Sequence, residues 1–320
     1  VLHLGDLVDR RKLITYISAK AMREKLFEEG LKRGITFHCI VGNHDSVYTN
    51  TLEVNALREL NIKSDNVKIY TRPKEVTFDG TKVLMVPWIC EDNEKETLEL
   101  INKTSAIFMF GHLELAGFPM YKNTPLSEHE TLDKSLLEKF DAVYSGHYHT
   151  KSTVGNITYL GSSYEITWAD FNDHRGFHIF DTDTKEMKPI KNPYRMFRKV
   201  FYDDKDKKTI DEVLDYRFSK CKGCYIKVVI KNMVNPAWYD VFISRLEKAG
   251  ALDIQPVDDH KNLDKIENQV SLDEAEDTGV TIKKYVEGAP DVPDPQKKEK
   301  VFSCIYDLYK EALQLDSKFQ

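Results

Sequence analysis

Short apolar runs alternate with longer amphipathic ones over the first 190 or so residues, the pattern of strands separated by helices. Val1–Leu4 is a brief apolar strand running into Gly5-Asp6. Lys12–Gly34 predicts a helix, with Leu13, Ile14, Ile17, Leu26 and Leu31 near one face and Gly34 as its stop. Ile35–Val41 is a continuous apolar strand that ends in Gly42-Asn43-His44. Glu75–Trp88 predicts a hairpin, Val76–Phe78 against Lys82–Val86, turning at Asp79-Gly80. A helix over Asn93–Lys103 leads to the strand Ala106–Phe110 and Gly111-His112. A helix over Leu132–Lys139 leads to Ala142–Ser145 and Gly146-His147-Tyr148-His149. Two more strands, Ile157–Leu160 and Gly176–Asp181, complete the predicted sheet.

The pattern changes near Lys188–Asn192. Phe197–Phe201, Tyr225–Ile230 and a helix over Trp238–Ala249 predict a small α+β unit, residues 193–260. Gln255–Gly279 is acidic and poor in aromatics, so a linker is expected, placed at 261–281. The segment 282–320 holds Pro290, Pro293 and Pro295 and then a helical pattern. Val301, Ile305, Leu308 and Leu315, with Tyr309 and Ala312, share an apolar face that must bury against this protein or a partner.

Composition narrows the class. The chain has 320 residues, 41% hydrophobic and 31% charged, with no apolar run long enough to span a membrane and no basic-then-apolar leader pattern. A cytoplasmic protein is expected. Five scattered cysteines argue against a disulfide framework. Cys221-Lys-Gly-Cys224 has metal-chelating spacing but no second pair, and a tight turn before the next strand accounts for it. A net charge of −6 argues against nonspecific nucleic-acid binding through a positive coat. It leaves a nuclease open, because bound divalent cations reverse the local field where phosphate sits.

Four predicted strands end in a glycine followed by a side chain that can hold a metal. In α/β sheets ligands gather beyond the carboxyl ends of strands, and glycine permits close backbone approach there. A paired-metal phosphoesterase needs a bridging carboxylate, neutral ligands and an acid near the leaving oxygen. Asp6 suits the bridge. Asn43, His112 and His147 suit one ion, and His149, two places along from His147, suits the other. Mixed nitrogen and oxygen donors favour Mn²⁺, Fe or Zn²⁺ over Mg²⁺. His44 suits the acid, with Asp9 orienting it through a hydrogen bond. Arg10, Arg11 and Lys12 either hold a phosphate backbone or form the solvated start of a helix.

These motifs resemble those of calcineurin-type metallophosphoesterases. Val86-Pro87-Trp88, Gly111-His112-Leu113-Glu114-Leu115-Ala116-Gly117-Phe118, Arg175-Gly176-Phe177 and Tyr285-Val286-Glu287-Gly288-Ala289-Pro290-Asp291 make the chain most similar to the SbcD family of DNA-repair nuclease subunits, its T-even phage members included. The resemblance implies an α/β fold: a metallophosphoesterase β-sandwich flanked by helices over 1–192, a capping, DNA-binding domain over 193–260, and a partner-binding helical segment over 282–320. It implies Mn²⁺-dependent 3′-to-5′ exonuclease action on double-stranded DNA and endonuclease action on single strands, with two Mn²⁺. It also implies a homodimer and an SMC-like ATPase partner of the SbcC type, in the host cytoplasm if phage-encoded. Asp6, Asn43, His112, His147 and His149 take the metal roles and His44 the acid role.

One feature of that family is missing. Its first strand carries a D-x-H motif, whereas Gly5-Asp6-Leu7-Val8-Asp9-Arg10 fits its second motif. The sequence therefore predicts a full ligand set for one ion and about half for the other, and cleavage only if the missing strand is supplied. A scaffold that binds DNA and the ATPase without cutting is a second reading. A serine/threonine protein phosphatase is a third, opposed by Val41 where that class has arginine and by the Gly146-His147-x-His149 motif.

Overall fold

The computed structural model describes residues 1–122, 124–128, 132–258, 286 and 297–305. The predicted linker and most of the C-terminal segment lie outside the described residues. No helix among the described residues is long and apolar enough to cross a membrane.

Two sheets form the first unit. Strands β1 (Leu2–Leu4), β2 (Phe37–Ile40) and β3 (Val67–Tyr70) pair in parallel in that order. The second sheet uses β4 (Lys74–Phe78), β5 (Thr81–Val86), β6 (Phe108–Gly111), β7 (Ala142–Ser145), β8 (Ser152–Val154) and β9 (Ile157–Tyr159), in the order β4-β5-β6-β7-β9-β8. Its central strands β5, β6, β7 and β9 are parallel, with antiparallel hairpins at both edges.

Alternation along these strands sets the layers. On β5, Val83 and Met85 join Phe108, Phe110, Tyr144 and Ile40 between the two sheets, with Leu2 and Leu4 of β1 against them. The intervening Leu84 and Val86 face the opposite way, into a second core with Met109, Ile101, Leu137 and Phe140. Phe37 and Cys39 of β2 point outward to a third core with Phe27, Leu57 and Trp88. Both faces of the central strands are thus buried, which is why their sequences read as unbroken apolar runs.

Two of the expected helices, over Lys12–Gly34 and Leu132–Lys139, are shorter or broken. Residues 16–32 are helical as α1 (Tyr16–Ala21), a π-helical stretch (Met22–Glu28) and α2 (Glu29–Lys32). Thr15 delays the start, its hydroxyl accepting the Ser18 amide at 3.1 Å. The expected buried stripe turns outward in part: Leu13 is 62% exposed and Ile17 83%. Two further helices follow, α3 (Ala56–Glu59) and α4 (Glu94–Lys103), and Lys139 Nζ donates to the carbonyls of Ile101, Asn102 and Thr104 at the end of α4. The helix expected over Leu132–Lys139 is a 3₁₀ turn, Lys134–Leu137, capped by Asp133.

The strand expected to complete the sheet does not join it. Among the described residues, strand β10 (Gly176–Phe180) pairs with β11 (Met187–Lys191) alone, as a separate antiparallel ribbon that lays Phe180 and Met187 on the core between the sheets.

The second unit begins at β12 (Phe197–Asp203), which pairs in parallel with β13 (Tyr225–Asn232) and then β14 (Asp253–Asp258). The start of the acidic run is therefore a strand. Helices α5 (Ile210–Leu214) and α6 (Pro236–Lys248) pack Val213, Phe242 and Leu246 against Val200, Tyr202, Ile226 and Val228. Cys221 and Cys224 are free, buried in this core, and joined by the expected tight turn through Gly223 at φ +71°.

The junction of the two units is polar and specific. The Glu165 carboxylate, 1% exposed, accepts the main-chain N–H groups of Met196 and Phe197 at 2.8 and 3.1 Å and pairs with Arg195 at 2.5 Å. Beside it, the Lys227 ammonium sits 4.2 Å from the centre of the Trp168 ring.

Candidate metal centre

The carboxyl ends of β1, β2, β6 and β7 meet at one edge of the sandwich, and each delivers a donor. Close approach depends on absent side chains. A Cβ on Gly42 would lie 2.2 Å from Asp6 Oδ1 and 2.8 Å from His112 Cε1. A Cβ on Gly5, whose φ is +87°, would lie 2.3 Å from His112 Nδ1. Asp6 and His147 themselves sit at φ +57° and +80°, a region that disfavours side-chain-bearing residues. That strain is held at the site by the surrounding contacts.

Four polar atoms converge. His112 Nε2 lies 2.9 Å from Asn43 Oδ1, 3.1 Å from Asp6 Oδ2 and 3.2 Å from His147 Nδ1. His147 Nδ1 is also 3.1 Å from Asn43 Oδ1. The other nitrogen of His112 is 2.7 Å from the Leu4 carbonyl, which can only accept, so Nδ1 carries the hydrogen. In the neutral ring Nε2 is then a bare lone pair facing an amide oxygen, a carboxylate oxygen and a second imidazole nitrogen. With His112 neutral, a hydrogen on His147 Nδ1 satisfies one of these contacts at a time, whereas a cation satisfies all four atoms together. Among the described residues, Asp6, His112 and His147 are the group of titratable side chains close enough to hold an ion.

The charges follow from this crowding. Burial raises the Asp6 carboxyl, but the neighbouring His112 and His44 outweigh it and hold the group well below the usual range. Burial opposes protonation of His112, yet the Asp6 carboxylate beside it prevails and shifts it upward. His147 is pushed down to about 3 by burial and by His112. A ring kept neutral keeps its lone pair for a metal.

Asp45 was not singled out from the sequence, and it holds the loops together. Its fully buried carboxylate accepts the N–H groups of Asp6, Leu7, Val8 and Gly42 at 2.7–3.2 Å. Burial and the nearby Asp6 charge push it up to about 6. Asp6 is fixed from the other side as well, since its Oδ1 accepts the His44 amide at 2.9 Å. An aspartate one place after Asn43-His44 was the available signal.

The remaining expected residues are placed differently. His44 is oriented from Asp9, as anticipated, but by the Asp9 main-chain carbonyl, 2.6 Å from His44 Nδ1, rather than by its carboxylate. Any residue at position 9 supplies that oxygen. His149 stands outside the four-atom cluster, with its ring edge-on to Tyr121 at 4.8 Å and its Nδ1 3.8 Å from Asp170 Oδ1. Arg11 stacks over Trp88 at 5.1 Å, while Arg10 and Lys12 are exposed beside it.

Comparison with known proteins agrees with this geometry. The profile of the calcineurin-like phosphoesterase family matches residues 1–151, the segment that carries all four strand ends. The chain belongs to the calcineurin-like metallophosphoesterases. It is 35% identical over 319 residues to exonuclease subunit 1 of Enterobacteria phage T4, an alignment covering 97% of this chain and 86% of that protein. The fold of two sheets flanked by helices is the one expected, and it makes the chain a metal-dependent phosphoesterase.

Proposed function

We propose that this protein is a DNA nuclease subunit that hydrolyses phosphodiester bonds with two Mn²⁺ ions and works with an SMC-like ATPase in recombination and repair. The observation that carries the reading is the convergence of Asp6 Oδ2, Asn43 Oδ1, His112 Nε2 and His147 Nδ1 within 2.9–3.2 Å contacts. The same four residues would hold one ion. Asp6 and His149 would contribute to a second, which a D-x-H strand would complete. Bound ions supply Lewis acidity and a water activated at neutral pH.

The chain's own part is positioning and proton transfer. With its Nδ1 hydrogen directed to the Asp9 carbonyl, His44 presents Nε2 outward, where a protonated ring can donate to the departing 3′ oxygen. Asp45 holds the loops of Asp6 and Asn43 at a fixed separation, so the donors need little rearrangement when an ion and a phosphate arrive. Arg10 and Lys12, with Arg11 over Trp88, form a basic rim suited to the phosphate backbone.

The protein acts in the cytoplasm as a homodimer, and the exposed side chains of Leu13, Tyr16 and Ile17 support pairing with a second copy. Tyr16 is 95% exposed, more than a side chain of its size needs to be on a helix flanked by core residues.

The test is cleavage of end-labelled double- and single-stranded DNA with Mn²⁺, with and without the ATPase, beside a phosphopeptide. With the D-x-H strand supplied, DNA is expected to shorten while the phosphopeptide is untouched. His44→Ala is expected to lower the rate by about 10²–10⁴-fold with Mn²⁺ still bound. Dephosphorylation of the peptide, or unimpaired cutting by His44→Ala, would contradict the assignment.

A further inference from the structure

The two histidines of Gly146-His147-Tyr148-His149 are each backed by a buried or half-buried carboxylate to which the metal scheme above gives no role. His147 turns Nδ1 into the four-atom cluster, and its Nε2 faces Glu114 Oε1 at 3.6 Å. Glu114 is itself fixed, because the same oxygen accepts the Trp88 indole N–H at 2.9 Å. The Trp88 ring is in turn 9% exposed and roofed by Arg11 at 5.1 Å.

His149 has a different supporter. Its Nδ1 is buried without a hydrogen-bond partner, and Asp170 Oδ1 lies 3.8 Å away. Asp170 is fully buried. Its Oδ2 accepts the Ile166 and Thr167 amides at 2.8 and 3.0 Å, and its Oδ1 pairs with Arg175 Nη2 at 2.8 Å. Arg175 also donates to the His149 carbonyl and, at 2.6 Å, to the Ser162 hydroxyl. The Asp170–Arg175 ion pair therefore stands beside the His149 ring and is bonded to its main chain.

A carboxylate beside one ring nitrogen holds the hydrogen there and leaves the other nitrogen bare and more basic. We infer that Glu114 and Asp170 are positioning residues, each setting the tautomer and direction of one histidine, and through it the affinity of one metal site. Glu114 keeps the hydrogen of His147 on Nε2, so that Nδ1 ligates. Asp170 keeps the hydrogen of His149 on Nδ1, so that Nε2 ligates. The inference rests on the two-metal reading above. It adds what stands behind each ring and fixes which nitrogen is free to ligate.

The segment carrying Asp170 gives that assignment a second consequence. Glu165, five residues earlier, accepts the first amides of the second unit. His149 is thus connected, through Asp170 and residues 165–170, to the junction of the units, whereas His147 is connected through Glu114 to Trp88 inside the first. Disturbing the junction should reach His149 and spare His147.

Histidine-selective ¹⁵N labelling with long-range proton–nitrogen correlation spectra reads both tautomers without any metal. The wild-type chain is expected to show hydrogen on Nε2 of His147 and on Nδ1 of His149. Glu114→Gln should disturb the first alone, Asp170→Asn the second alone, and Trp88→Phe the first to a smaller degree. Calorimetric Mn²⁺ titration is the second readout. Glu114→Gln should weaken the ion of the four-atom cluster by about 10- to 100-fold and Asp170→Asn should leave it unchanged, with thermal melting confirming that the variants fold. Unchanged tautomers in both variants would overturn the proposal, as would abolition of all binding by Glu114→Gln, which would make Glu114 a ligand. A wild-type chain with the expected tautomers but no Mn²⁺ binding would sink the two-metal reading and leave the positioning roles standing.

Discussion

At the scale of single residues the centre is defined as much by missing atoms as by donors. Gly42 sits where any side chain would strike both the bridging carboxylate and a ligand imidazole. Gly42→Ala is therefore expected to displace Asp6 or His112 and to cost at least about tenfold in Mn²⁺ affinity, with a modest loss of thermal stability. Equal Mn²⁺ titration curves for the variant and the parent would count against this. The donors were legible because each follows a glycine at a strand end. Asp45, Glu114, Asp170 and Arg175 were not, since their importance comes from main-chain amides, ring nitrogens and carbonyls brought to them by distant parts of the chain. An acidic residue in a sequence carries no mark of which backbone groups will surround it. Asp9 shows the reverse error, a side chain credited with a bond that its carbonyl makes.

At the scale of elements, strands buried on both faces announced themselves as unbroken apolar runs, and β2, β5, β6 and β7 fall within a few residues of where those runs lie. Strands whose apolar residues are few or interrupted by polar ones, β3, β8 and β14, gave no such signal. Partnership was less legible than existence. Gly176–Asp181 reads as a strand, but only the fold decides that it pairs with β11 and not with the main sheet.

The first helix is the informative failure. Of the residues expected on its apolar face, Leu13 and Ile17 face outward, beside Tyr16, while Ile14 and Leu31 pack on the core around the buried Phe27. Apolar side chains at helical spacing report that a face is covered without reporting by what. If a second copy covers it, Ile17→Glu should shift the protein from dimer to monomer in sedimentation, with the Mn²⁺ sites unaffected. A monomeric parent protein would remove the assignment, and a dimer indifferent to Ile17→Glu would place the interface elsewhere.

At the scale of the whole molecule, two units with separate cores are joined by a few polar contacts of high quality. Glu165 satisfies two amides and a guanidinium in a buried setting, so Glu165→Ala leaves Arg195 and both N–H groups without their acceptor. Breaking one side of a buried ion pair typically costs about 3–5 kcal/mol. The expected outcome is that a single unfolding transition in calorimetry separates into two, the second unit melting first. One transition at an unchanged temperature would show that the junction does not couple the units. The composition changes near the end of β11, whereas the coupling residue lies in an ordinary stretch before it.

All three scales rest on one claim, that Asp6, Asn43, His112 and His147 form a divalent-metal site. The most direct measurement is calorimetric titration of the metal-free chain with Mn²⁺ beside His112→Ala and His44→Ala. The account predicts saturable binding in the parent, loss of the tighter site in His112→Ala, and binding retained in His44→Ala. Identical titrations of the parent and His112→Ala, or no binding in the parent, would contradict it.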